Sequence, residues 1–433
     1  MGTASTVAGS AADARESAGG VWGRRVVTFF AAVLTLLVAV IVVGVFIPST
    51  NLVSVIGTIF ISFFTLHVFL AGLVAILLAL WARSLGGRTA VMIILVIAIL
   101  AAVGATVPII SLVRAADRYG AKISWSDHLR VIAAGPRAMP DQTKVFATVD
   151  GKDLKVDIYL PASAKRNAPS APAYNTIMSD AAMPAKTPPT APVVSIHGGG
   201  YSMGERSDGR NWDRWFADRG YTVFDIDYRL DPPVTWNLAA QDVACAMAWI
   251  ASHASEYNIS PDRMLLTGQS AGGGLDVQVG YGLGDGTVTS SCGGDVPQPK
   301  AIFALYPPED FALGWHIKSG LGQISAVTFN TGYIGGSPDQ FPERYRAVSA
   351  IYHVRAGLPP TLIAAGASDH LVPYSGHTET VEKLNAVGVP NVLVTIPYGE
   401  HGYDLFWGSI GAQITRQAVA DFLAKYLPPT VGP

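Results

Sequence analysis

An α/β domain on a mostly parallel sheet with helices on both faces, preceded by three transmembrane helices, is the fold class this sequence predicts. Three observations predict it. The chain of 433 residues is 50% hydrophobic and only 14% charged, whereas an ordinary soluble domain is about 25% charged. The apolar excess is concentrated in the first quarter, in three runs long enough to cross a hydrocarbon core. Downstream, short β-branched runs alternate with helical stretches, the order that builds a parallel sheet with helices on its faces.

Residues 1–25 are rich in Ala, Gly and Ser without apolar periodicity and are read as a disordered tail. Residues 26–113 form the anchor, in the runs Val26–Ile47, Leu52–Ala82 and Thr89–Val113. Each exceeds the ~20 residues that span a bilayer. A signal peptide has an apolar stretch of only ~7–15 residues and would not be followed at once by two further spans. His67 is the one ionisable residue inside them. It is read as a neutral side chain bonded to a neighbouring helix rather than as a proton relay. Arg24 and Arg25 precede the first span, Arg83 and Arg88 flank the second loop, and the first loop is uncharged. That bias predicts an integral plasma-membrane protein with its N-terminus inside and residues 114–433 extracytoplasmic. Arg114, Arg118 and Lys122 work against it.

Residues 114–140 are a juxtamembrane or cap segment, and 141–433 the main domain. Lys144–Val149 and Leu154–Leu160 read as strands joined through Asp150-Gly151, a hairpin signal. Residues 162–191 are an Ala-, Pro- and Ser-rich flexible insertion. Strands follow at Pro192–Ile196, Tyr221–Tyr228, Arg263–Gly268, Ala301–Tyr306, Thr361–Gly366 and Val392–Pro397. Helical spacing covers Leu238–His253 and Ala412–Tyr426.

A net charge of −2 offers no electrostatic footprint for nucleic acid. No Walker-type loop, paired C-x-x-C or H-E-x-x-H is present, so the expectation is a site without metal or cofactor. Cys245 and Cys292 are either a disulfide, as an extracytoplasmic setting allows, or two unrelated thiols.

The chemistry lies in a set of ordered motifs. Gly268-Gln-Ser270-Ala-Gly272 fits G-x-S-x-G after a strand and before a helix, the context that perches a serine on a sharp turn. Upstream, His197-Gly-Gly-Gly-Tyr201 follows the Pro192 strand. Gly199 and Gly200 there, with Ala271, are the candidate oxyanion donors. His197 is read as a structural hydrogen-bonder of that loop. A serine nucleophile needs a base and the base an orienter, in the chain order Ser, Asp or Glu, His. Asp369 follows the Thr361 strand and His401 follows the Val392 strand, both at strand ends where open α/β sheets bind ligands. His353, His370 and His377 are rival bases, and Glu400 and Asp404 rival orienters. Trp315, Phe329, Tyr333 and Tyr345 lie in the long segment before Asp369 and are either core or the lining of an acyl pocket.

The succession HGGGY, FDIDYRLDPP, GQSAGG, GASDHLVP and GEHGYD resembles α/β-hydrolase carboxylesterases, nearest the hormone-sensitive-lipase-like group with the feruloyl-esterase and kynurenine-formamidase types. The resemblance covers about residues 140–428 and says nothing of 1–115. It implies an α/β-hydrolase fold and a serine esterase acting on a small-molecule or lipid-like ester. Gln269 stands where many relatives are acidic, and Asp231-Pro-Pro replaces Ala-Pro-Glu; these departures bear on pocket shape. The expectation is a membrane-anchored carboxylesterase or lipase working through an acyl-enzyme. Acyl transfer, amide cleavage and a silent hydrolase-fold binding module remain as alternatives.

Overall fold

The computed structural model describes residues 5–47, 51–136, 139–162, 188–316 and 321–430. Three long helices open it: α1 (Ser5–Val45), α2 (Leu52–Ser84) and α3 (Thr89–Arg118). All three are long and apolar enough to cross a membrane. Helix α1 already runs from Ser5, so the segment read as a disordered tail is helical from there on. Its stretch Ala11-Ala-Asp-Ala-Arg-Glu-Ser-Ala18 holds good helix formers, a signal that low hydropathy masks.

The three helices pack through small residues. A Cβ on Gly44 would lie 2.2 Å from the Val53 carbonyl oxygen, and one on Gly72 would lie 3.1 Å from the Ala102 side chain. Their outward faces, with Phe29, Leu36, Leu77 and Leu100 among them, are exposed. Helix α2 has 33 residues, about 50 Å at 1.5 Å per residue, against a hydrocarbon core of about 30 Å. A non-helical residue, Phe64 (φ −123°, ψ 29°), breaks it. The part after the break, of about 20 residues, is what a bilayer needs. The part before it docks on the large domain.

That domain is an eight-stranded sheet: β1 (Gln142–Val149), β2 (Lys152–Tyr159), β3 (Pro192–Ile196), β4 (Thr222–Ile226), β5 (Leu265–Gln269), β6 (Ala301–Leu305), β7 (Thr361–Gly366) and β8 (Asn391–Ile396). The spatial order is β1-β2-β4-β3-β5-β6-β7-β8. The first two pairings are antiparallel and the remainder parallel. The β1–β2 turn places Asp150 (φ 52°) and Gly151 (φ 75°) in the left-handed region, as the Asp-Gly pair requires. Strands β3 to β7 are buried on both faces, which is why they read as apolar runs rather than alternations. Alternate residues feed two cores. Val194, Leu266 and Ile302 join one, and Val193, Leu265 and Phe303 the other. Leu112, Ala115 and Ala116 belong to the second core, so α3 runs straight into the domain.

The expected insertion lies mostly at 163–187, outside the described residues. Cys245 and Cys292 form a disulfide, closing the question their spacing left open. It ties the helix Leu238–Ser252 to the loop that leads into β6 across a separation of 47 residues. Replacing both cysteines by alanine is expected to cost about 4 kcal/mol by the chain-entropy relation for a loop of that size. A lowered thermal midpoint, reproduced on the native protein by dithiothreitol, is the measurement.

Candidate active site

Strand β5 ends at Gln269, and the helix Ala271–Gly282 begins two residues later. Ser270, between them, has φ 54° and ψ −116°, a conformation that L side chains rarely adopt. Its amide donates to the Leu305 carbonyl of β6 at 2.9 Å, which holds the turn against the sheet. The flanking glycines are required by contact. A Cβ on Gly268 would lie 2.3 Å from the Gly272 carbonyl, and one on Gly272 would lie 2.0 Å from the Ile196 oxygen. Gly272→Ala is therefore expected to destabilise the domain by about 3 kcal/mol, the upper range for overpacking. Thermal unfolding and the rate of fluorophosphonate labelling are the readouts.

Three of the predicted residues come together at the carboxyl ends of β5, β7 and β8. The Ser270 Oγ lies 2.8 Å from His401 Nε2, and His401 Nδ1 lies 2.8 Å from Asp369 Oδ2. The other Asp369 oxygen accepts from the amides of Leu371 and Val372, each at 2.8 Å. Burial pulls the His401 pKa down, but the charge of Asp369 and its hydrogen bond, aided by Glu400, leave it above the ordinary imidazole value. Tyr306 packs its ring against His401, with centroids 4.6 Å apart, and donates its hydroxyl to Asp404 Oδ1 at 2.6 Å.

The glycine loop stands opposite. Gly199 (φ 116°) and Gly200 (φ 59°) adopt left-handed backbone, and a Cβ on Gly199 would lie 2.0 Å from the Met203 oxygen. Both line one cleft with Ser270, Ala271 and His401. Ala271 opens a helix whose leading N–H groups have no acceptor within the helix. His197 sits behind the loop, stacked on Tyr228 with its Nδ1 at 2.7 Å from the Gly198 oxygen. Burial lowers its pKa, in keeping with a structural side chain. The cleft measures about 640 Å³, with Phe311, Phe329 and Leu405 on its walls.

Residues 180–384 match the BD-FAE family profile. The segment is a BD-FAE domain of the α/β-hydrolase fold. Among relatives, the chain is 29% identical over 239 residues to a probable carboxylic ester hydrolase, LipM, of Mycobacterium tuberculosis, covering 54% of each chain. It is 28% identical to the esterase LipC of the same organism, covering 56% of this chain and 59% of the relative. The chain thus spans somewhat over half the length of these curated relatives. The apo form of Thermogutta terrifontis esterase 2 superposes with a TM-score of 0.51 at 24% identity, over 69% of this chain and 98% of that one, a likeness of fold.

The rival residues have other partners. His377 Nδ1 is held by Glu309 at 2.8 Å, buried on both sides. His353 pairs with Asp285. Asp404 accepts from Tyr306 and from Trp212 Nε1. Of the aromatics in the long segment, Phe329 lines the cleft, whereas Tyr333 and Tyr345 are core. Trp315 packs partly buried against that core. Among the described residues of 114–140, none lines the cleft. The short helix Trp125–Leu129 in that segment turns instead to α2, where His67 Nε2 meets the Leu129 carbonyl at 3.1 Å. Glu400 and His370, weighed as rivals, pair with each other at 2.5 Å and reach α2 through Thr58 and Ser54. The readable signal was Ser54, Thr58 and Ser62, a stripe one turn apart on an otherwise apolar helix.

Proposed function

We propose that the protein is a membrane-anchored serine carboxylesterase that hydrolyses carboxylic esters through an acyl-enzyme. The observation that carries this reading is the continuous chain Ser270–His401–Asp369, linked by two contacts of 2.8 Å. Ser270 Oγ attacks the ester carbonyl while His401 Nε2 takes its proton. The amides of Gly199, Gly200 and Ala271 stabilise the oxyanion. His401 then protonates the departing alcohol, and Asp369 stabilises the imidazolium. Water, deprotonated by His401, releases the acid and restores Ser270. The relatives LipM, a probable carboxylic ester hydrolase, and LipC, an esterase, agree with this reading.

The substrate we propose is an amphiphilic ester of the membrane. Three apolar helices support it, together with a largely apolar cleft whose wall residues Leu405 and Met203 are exposed. The setting we propose is the plasma membrane, with the domain on the extracytoplasmic side; the Cys245–Cys292 disulfide fits that oxidising face. The test is pre-steady-state hydrolysis of p-nitrophenyl esters of increasing chain length by the full chain in liposomes. A burst of p-nitrophenol stoichiometric with enzyme is expected. The reading fails if neither hydrolysis nor fluorophosphonate capture of Ser270 occurs.

A further inference from the structure

The loops carrying Asp369 and His401 leave adjacent strands, and one side chain ties them together. Glu400 Oε1 accepts from the backbone amide of His370 at 2.8 Å and from that of His401 at 2.9 Å. Its Oε2 lies 2.5 Å from His370 Nδ1 and accepts from the Thr58 hydroxyl at 2.6 Å. The Ser54 hydroxyl lies 3.2 Å from His370 Nε2. Ser62 completes the contact: its Oγ accepts from the Glu400 amide at 2.7 Å and donates to the Tyr398 carbonyl at 3.1 Å. Ser54, Thr58, Ser62 and Glu400 are all buried.

We infer that Glu400 is a positioning residue that holds the loops of Asp369 and His401 in register, and that Ser54 and Thr58 of α2 hold Glu400 and His370 in turn. On this account the apolar helix is part of the catalytic apparatus as well as an anchor. The inference rests on the serine-hydrolase reading above. One carboxylate oxygen shared by the amides of two loops is a stiff link only while its partner oxygen is also fixed. Without the Thr58 hydrogen bond, Oε2 keeps the His370 contact but loses its tie to α2, and the carboxylate is held less tightly. Side chains that act at hydrogen-bond distance tolerate little such motion, since misplacement by about 1 Å can cost ~10²-fold in rate. The plainer account is that these hydroxyls merely satisfy polar groups where a helix meets a domain. Thr58 Oγ1 does also lie 3.0 Å from the Ser54 carbonyl. That account predicts lost stability with unchanged turnover.

The two accounts separate on the full chain in liposomes, with active sites counted by fluorophosphonate and p-nitrophenyl acetate as substrate. Thr58→Val keeps shape and apolarity on an apolar helix. We expect kcat per labelled site to fall about tenfold, with KM unchanged within twofold. Thr58→Ser, which keeps the donor, should restore it. Ser54→Ala gives a second reading through His370, should Thr58→Val not accumulate. Wild-type kcat per labelled site in both Thr58→Val and Ser54→Ala, or failure of Thr58→Ser to rescue, overturns the inference. A wild-type protein that neither labels nor hydrolyses overturns the hydrolase reading, and this inference with it.

Discussion

Replacing Ser270 by alanine is expected to lower kcat for ester hydrolysis about 10⁶-fold, with KM little changed. The size follows from what is removed. The hydroxyl is the only group that we assign to bond formation with the substrate carbonyl, and its proton is the one His401 takes at 2.8 Å. Without it, His401 faces a methyl group and no acyl-enzyme forms. The cleft, the glycine loop and the Asp369–His401 pair are untouched, so binding persists and a small residual rate from the remaining groups survives. Alanine also loses no contact that built the turn, since Ser270 is held there through its amide. The thermal midpoint should therefore stay near that of the wild type, separating chemistry from folding. Hydrolysis rates by Ser270→Ala within tenfold of wild type, on protein free of contaminating esterase, would place the nucleophile elsewhere.

Much of this site was legible in the residue order because the constraints are local. Only glycines fit at 268 and 272 when strand, serine and helix meet at van der Waals distance, so the motif carries its own geometry. Asp369 and His401 were readable because each follows an apolar strand, and the ends of neighbouring parallel strands in such sheets converge. What stayed illegible needed contacts remote in the chain. Glu400 to Thr58 spans 342 positions, and no periodicity marks such a pair. Three hydroxyls on a hydrophobic helix do not by themselves point to a partner, because Ser and Thr in such helices usually bond their own backbone. The excess length of α2 was a further clue beside the Ser54, Thr58 and Ser62 stripe, and length alone does not say which end leaves the membrane. The helical start of α1 was missed for a different reason. Alanine-rich polar sequence satisfies helix propensity and disorder composition equally well.

Asp369→Asn is expected to lower kcat/KM about 10⁴-fold and to move the acid limb of its pH profile downward. The argument turns on the two amides that hold Asp369 Oδ1. Leu371 and Val372 both donate to it at 2.8 Å, so an asparagine must keep its carbonyl oxygen there. Its NH₂ then faces His401 Nδ1, which has to accept. The imidazole proton is forced onto Nε2, and that nitrogen can no longer take the proton of Ser270. The pH effect has the same origin. Turnover needs neutral His401, so activity falls as pH drops through the His401 pKa. In the wild type, burial lowers that pKa, and the Asp369 charge and hydrogen bond overcome it. The wild-type acid limb should accordingly lie above the ordinary imidazole value of about 6.5. Removing the charge leaves burial, the largest influence, opposed only by the weaker pull of Glu400, and the limb of the residual activity should fall below that value. Full pH profiles of kcat/KM for both proteins on one p-nitrophenyl ester decide the matter. An asparagine variant with near wild-type rate, or with an unmoved acid limb, would show that Asp369 does not orient His401.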